Sequence, residues 1–243
     1  MSGREVSVYR PELERVELLS MATATIGSMA VEDIQRFTVG LNTKSEKLLS
    51  LVRDREEFSD EDVRTYFGSF LQSRRHSSSI AAENSMQSLT AALKSLRVSR
   101  MEPSSAIQRF TSLKGAPHGV LEDVAFESLH FINPDIYGLC TRWVFNPGTG
   151  KGALAAAVRG QVPADFASRQ DLLREAKRIL DESGFSSQGF YTLDLACALS
   201  YASSMIGAKD TSMNSGGMEA LFPNSSVLAA MILGIRREII AHT

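Results

Sequence analysis

Apolar residues recur at spacings of three and four along most of this 243-residue chain, and the two-residue alternation of strands is almost absent. The pattern predicts an all-α protein. Its exception is the start, where Val6 and Val8 alternate with polar neighbours before Tyr9 and Pro11, predicting a short extended arm over residues 1–10. Helices are expected over 11–28, with Leu13, Val16 and Leu19 on one side, and over 31–52, with Phe37, Leu41, Leu48 and Val52 on another. Ser59 followed by Asp60-Glu61-Asp62 reads as an N-cap with acids in the first turn, opening a helix through Val63, Phe67 and Phe70 to Arg74-Arg75-His76. Ser77-Ser78-Ser79 reads as a polar break before a helix over 80–98.

Beyond Pro103 a short helix through Ile107, Phe110 and Leu113 is expected to stop at Gly115-Ala116-Pro117, the clearest boundary in the chain. That boundary divides the expected two-lobed helical bundle into an N-terminal lobe, 11–115, and a C-terminal lobe, 118–243. The second lobe is predicted to hold helices over 118–132, from Asn133-Pro134 through Cys140 to Trp143 and Val144, over 163–183, over 191–206 and over 227–240. The 191–206 segment is apolar nearly all round and is expected to lie at the centre.

Composition allows a core of that size, with 43% hydrophobic and 22% charged residues, and excludes disordered and disulfide-stapled classes. The longest apolar run, 227–235, falls well short of the roughly 20 residues a membrane span needs, and no apolar segment stands directly behind the opening Met1-Ser2-Gly3-Arg4-Glu5. Cys140 and Cys197 lie in apolar segments and read as small core residues. These features lead us to expect a chain that is cytoplasmic or in a virion, not secreted, with no membrane partner.

The net charge of −2 conceals blocks of alternating sign. Residues 1–63 carry 8 bases and 13 acids. Residues 64–114 carry Arg64, Arg74, Arg75, Lys94, Arg97, Arg100, Arg109 and Lys114 against Glu83 and Glu102 alone. A basic middle between acidic ends is the asymmetry expected of a surface strip that meets phosphate, with Arg142 and Lys151 as further candidates. The bland alternative is a solvated helical face whose arginine stems pack on the core. Aromatic residues interleave with these bases. Phe67, Phe70 and Phe110 fall on apolar stripes and read as core, which leaves Tyr66 and Trp143 as candidates for stacking on bases.

Motifs for catalysis are missing. The histidines, His76, His118, His130 and His242, are not at metal-ligand spacing, and Gly-x-Ser-x-Gly does not occur. The turn Gly148-Thr149-Gly150-Lys151-Gly152 lacks the Gly four residues before its Gly-Lys pair and the Ser or Thr after it that a phosphate-binding Walker loop requires. It retains the option of a small backbone nest for one phosphate at a helix start. No enzyme activity, metal or cofactor is expected.

The arm at Val6-Ser7-Val8-Tyr9, the basic block from Arg64 to Lys114 and the segment Phe131-Ile132-Asn133-Pro134 together resemble the nucleoproteins of segmented negative-strand RNA viruses of the phlebovirus and tenuivirus type. The resemblance implies a helical protein whose N-terminal lobe lines an RNA groove with clustered bases, here Arg64, Arg74, Arg75, Lys94, Arg97 and Arg100. The longer acidic first 63 residues depart from it. The expectation is a self-associating protein that sheathes single-stranded nucleic acid, RNA favoured, through phosphate contacts, as a nucleoprotein or filament coat protein does. Val6, Val8 and Tyr9 are expected to link subunits into a homo-oligomer. The alternatives are a cytoplasmic helical scaffold whose basic block meets an acidic protein, and, behind both, a helical enzyme binding a phosphorylated small molecule at Gly148 to Lys151.

Overall fold

A computed structural model describes residues 11–53, 55–97, 103–186, 189–212 and 224–235. The arm with Val6, Val8 and Tyr9 lies outside the described residues, as does Arg100. The chain is mostly helical, with ten α-helices among the described residues. They are α1 (Arg15–Thr25), α2 (Val31–Arg53), α3 (Asp60–Gly68), α4 (Ser77–Glu83), α5 (Met86–Lys94), α6 (Pro103–Thr111), α7 (His118–Ile132), α8 (Phe166–Glu182), α9 (Tyr191–Ser212) and α10 (Ser225–Ile232).

Local chemistry explains several of these limits. Ser59 caps α3 in the expected manner: its hydroxyl accepts from the Asp62 N–H, and the Asp62 carboxylate accepts from the Ser59 N–H at 2.9 Å, forming a reciprocal capping box. Asp165 and Asn224 cap α8 and α10 in the simpler one-sided way. On α2, Phe37, Leu41, Leu48 and Val52 are buried as the periodicity requires. The apolar α9 is the hub that α1, α2, α8 and α10 pack against.

Other limits moved. The first helix begins at Arg15 rather than residue 11, because Glu12–Leu13 is a two-residue strand, β1, paired antiparallel with Val158–Arg159, β2, in the register Glu12↔Arg159 and Leu13↔Val158. The segment next to the arm therefore has a strand partner inside the chain, which the sequence pattern did not reveal. Ser77-Ser78-Ser79 is the first turn of α4 rather than a break, and the helix expected over 80–98 is divided at Asn84-Ser85, where Ser85 caps α5 by accepting from the Ser88 N–H.

The helix expected from Asn133 to Val144 does not form. Instead, α8 holds this segment in an irregular path. Gln170 pairs with both backbone groups of Gly138, accepting from its N–H and donating to its carbonyl at 2.8 Å each. The buried Arg169 donates to the Pro163, Ala164 and Cys140 carbonyls. Buried backbone groups need partners from somewhere, and here a neighbouring helix supplies them in place of the i to i−4 ladder.

The boundary at Gly115-Ala116-Pro117 separates two helices that pack on each other, α6 and α7. A continuous buried cluster runs across it, with Phe110 and Leu113 on one side and Leu121 and Val124 on the other. Among the described residues no helix is long and apolar enough to cross a membrane.

Candidate nucleic-acid interface

The basic block folds into two sets with different electrostatic fates. Arg64 on α3, Arg74 and Arg75 in the turn after it, Arg109 on α6 and Lys114 just beyond α6 are all exposed, and none has a carboxylate partner among the described residues. Elsewhere most surface bases are neutralised, as Arg15 by Glu182, Arg55 by Asp62, Arg159 by Glu14, Arg174 by Asp171 and Lys177 by Asp181. Lys47 and Arg53 on α2 and Lys151 are the comparable exceptions.

The turn bearing Arg74 and Arg75 is fixed from beneath. Ser73 is fully buried and donates its hydroxyl to the Phe67 carbonyl at 2.6 Å, closing the chain back on α3. Arg74 Nε reaches the Gly68 carbonyl at 3.2 Å, and Arg75 Nε donates to His76 Nε2 at 3.0 Å. An aromatic cluster of Tyr66, Phe67, Phe70 and Phe110 joins α3 to α6 below this surface, with centroid separations of 5.4 to 6.5 Å. Burying a ring of this size contributes about 1.5–3 kcal/mol.

Lys114 is brought to the same region by a backbone staple. The Asn84 side chain at the end of α4 accepts from the Lys114 N–H at 2.9 Å and donates to the Lys114 carbonyl at 3.0 Å. The next residue, Gly115, has φ +85° and touches α4 so closely that a Cβ would stand 2.5 Å from the Ser79 backbone. Lys114 thus packs on the helix that follows directly from Arg74-Arg75-His76.

Lys94 and Arg97 belong to the structure rather than to the exposed set. Lys94 Nζ donates to Glu56 at 2.6 Å and Arg97 to the same carboxylate at 3.2 Å, while Arg97 Nε bonds the Val52 carbonyl and its guanidinium sits over Phe58. The hydrogen bond from Lys94, with both positive charges behind it, holds the Glu56 carboxyl below its usual range. Arg142 is bound in the same sense to the buried Asp123, by its backbone N–H at 2.9 Å and its guanidinium at 2.8 Å. Burial raises the Asp123 pKa, and Arg142 offsets part of that rise.

The two stacking candidates are in the core. Tyr66 is 1% exposed and Trp143 5%, so neither offers a face to a base. Both sit on segments where apolar neighbours on either side draw the ring inward, Tyr66 among Phe67, Phe70 and Phe110 and Trp143 beside Tyr201. The Gly148 to Lys151 turn is not a nest at a helix start. It is a hairpin turn closed by the Asn146↔Lys151 bridge, in which Asn146 uses up the nearby N–H groups: its carbonyl accepts from Gly150 and its side chain from Gly148. Only one 3-10 turn, Ala155–Ala157, follows. Lys151 stands exposed on this turn.

Periodicity alone does not show a buried polar row on α7. Asp123, Glu127 and His130, at spacings of four and three, share one side of the helix and are buried. Asp123 meets Arg142, Glu127 meets Lys44 of α2 at 3.6 Å, and His130 Nε2 meets Asp194 of α9 at 3.1 Å. The signal was present, since three ionisable residues at helical spacing inside an apolar stretch need buried partners. Among the described residues no cluster of histidine, cysteine and carboxylate side chains could hold a metal ion. Burial pushes the Cys140 thiol up to about 12 and Cys197 well up as well, so neither is a nucleophile at neutral pH.

No known protein family, curated protein or solved structure matches the chain.

Proposed function

We propose that the protein binds single-stranded nucleic acid, RNA favoured, by its phosphates, and that self-association along the strand multiplies these contacts. The observation that carries this reading is the group of exposed bases without carboxylate partners on and around α3, α4 and α6: Arg64, Arg74, Arg75, Arg109 and Lys114. Bases left unneutralised beside others that are paired create a local positive potential, and a polyanion relieves it by releasing its condensed counterions. With Tyr66 and Trp143 enclosed, the contacts are to phosphates rather than bases, so binding is indifferent to sequence. Weak single-subunit contacts add up when many subunits occupy one strand.

The test is the fluorescence anisotropy of a labelled oligouridine titrated with protein over a series of salt concentrations. Wild type should show a steep fall of log affinity with log salt. The triple variant Arg64→Gln, Arg75→Gln, Lys114→Gln should bind more weakly and lose a slope of roughly 0.7 per contact removed. A folded triple variant with unchanged affinity and slope removes this reading, and binding to polyglutamate without binding to oligouridine would assign the face to an acidic protein.

A further inference from the structure

The turn that carries the two central arginines also carries three serines, in the run Arg74-Arg75-His76-Ser77-Ser78-Ser79. Arg74, Arg75, Ser78 and Ser79 are exposed and Ser77 is half-buried. Arg74 stands three residues before Ser77, and Arg75 three residues before Ser78. Protein kinases that choose basic substrates do so with carboxylates beside the catalytic cleft, which receive arginines two or three positions before the acceptor hydroxyl. Both guanidinium groups are available for that purpose, being exposed and without carboxylate partners among the described residues.

A kinase reads its substrate in extended form, so the segment must also open. Here the structure is permissive. The serines belong to a helix of seven residues whose N-cap, His76, makes no side-chain capping bond. The Ser77 hydroxyl donates to the Arg74 carbonyl at 3.0 Å, while those of Ser78 and Ser79 have no hydrogen-bond partner among the described residues. Opening residues 74–79 breaks the N–H bonds of Arg74 to the Phe70 carbonyl and of His76 to the Ser73 carbonyl and the side-chain bonds of Arg74 and Ser77, and uncovers no large apolar side chain before Ile80.

We propose that Ser77 and Ser78 are phosphate acceptors for an arginine-directed serine/threonine protein kinase, and that phosphate there switches off the basic face around Arg74, Arg75 and Lys114. In the reaction the serine Oγ bonds to the γ-phosphorus of magnesium-bound ATP as the bond to the β-phosphate bridging oxygen breaks. ADP leaves, and the hydroxyl proton passes to the kinase's catalytic base. Each phosphate brings about −1.5 to −2 charges and three acceptor oxygens into reach of neighbouring arginines. One such group cancels about half to two-thirds of the charge that Arg74, Arg75 and Lys114 present. The switch rests on the nucleic-acid reading above, whereas the acceptor assignment stands without it.

The experiment treats the full-length protein with the catalytic subunit of an arginine-directed kinase and MgATP, maps the phosphates by mass spectrometry, and measures oligouridine anisotropy before and after. Phosphate is expected on Ser77 or Ser78, with affinity lowered about tenfold or more at moderate salt. The variant Ser77→Ala, Ser78→Ala should take no phosphate in this turn and keep its affinity through the same treatment. Absence of phosphate at both serines overturns the acceptor assignment. Phosphate at either serine with undiminished affinity overturns the switch. If the untreated protein does not bind oligouridine, the nucleic-acid reading and the switch that depends on it fall together, and the phosphate map alone decides the acceptor assignment.

Discussion

The Lys44 ammonium lies 3.6 Å from Oε2 of Glu127, and both side chains are 3% exposed. The same ammonium donates to the Leu233 carbonyl at 2.7 Å, just past α10, and sits 4.0 Å from the centre of the Phe131 ring. A single buried charge thus ties α2, α7 and the end of α10 together. Taking two ions out of water is costly, and the carbonyl and the ring face supply part of the missing solvation.

Removing one partner of this pair should be far worse than removing both. Lys44→Ala leaves Glu127 and the Leu233 carbonyl without a counterpart and should cost about 3–5 kcal/mol in urea unfolding. The double variant Lys44→Met, Glu127→Leu should recover most of that loss. Equal losses in the single and double variants would show that packing, not charge, dominates at this site.

Acid should stabilise the protein near neutrality. Burial pushes the Glu127 carboxyl up to about 7, against the pull of Lys44 and with a further upward push from Asp123. For His130 burial opposes the charged form, but Asp194 and the Tyr137 carbonyl outweigh it and raise its pKa above the ordinary 6.5. Both groups hold their protons more firmly folded than unfolded. Their contribution is complete below the unfolded values and is lost as pH rises through the folded ones, about 7 for Glu127. Melting temperature should therefore fall between about pH 6 and pH 8, and Glu127→Gln should flatten that fall. A melting temperature that rises across this window would contradict the burial of Glu127.

The sequence made the helical class legible because α2, α7 and α8 each carry their apolar residues at helical spacing over four or more turns. The Ser59 cap was legible because a hydroxyl three residues before Asp62 has a single obvious use. What escaped reading depended on distant partners. The irregular path after Asn133 exists because Arg169 and Gln170, about 30 residues later, supply its hydrogen bonds, and no local pattern announces that. The charge block was equally visible, yet Glu56 claims two of its members through contacts that sequence spacing does not show. Tyr66 and Trp143 misled for a related reason: a polar edge on a ring says nothing about which way the helix or loop turns it.

Trp143 gives a direct check of that last point. Its ring centroid lies 6.1 Å from that of Tyr201 inside the core. Trp143→Ala should cost about 3–5 kcal/mol of stability, and the wild-type tryptophan emission should not change when oligouridine is added. Quenching on binding, together with a mild loss of stability, would place the ring at the interface instead.

The Asn84 staple separates position from charge. Asn84→Ala removes the side-chain bonds to both backbone groups of Lys114 and a third to the Ile80 carbonyl at 2.8 Å, without changing the net charge. Loss of these three bonds, two of them exposed, should cost about 1–3 kcal/mol of stability. If Lys114 meets phosphate only because it is held against α4, the variant should also bind oligouridine several-fold more weakly while its other bases keep most of the salt dependence. Gly115→Ala should act in the same direction by a different route, because the added Cβ would stand 2.5 Å from the Ser79 backbone and force the segment away. Anisotropy and urea unfolding on both variants distinguish the outcomes. Weakened binding in both, at temperatures where both remain folded, assigns Lys114 a fixed place in the interface; lost stability with unaltered binding would remove Lys114 from it and leave the staple a purely structural device.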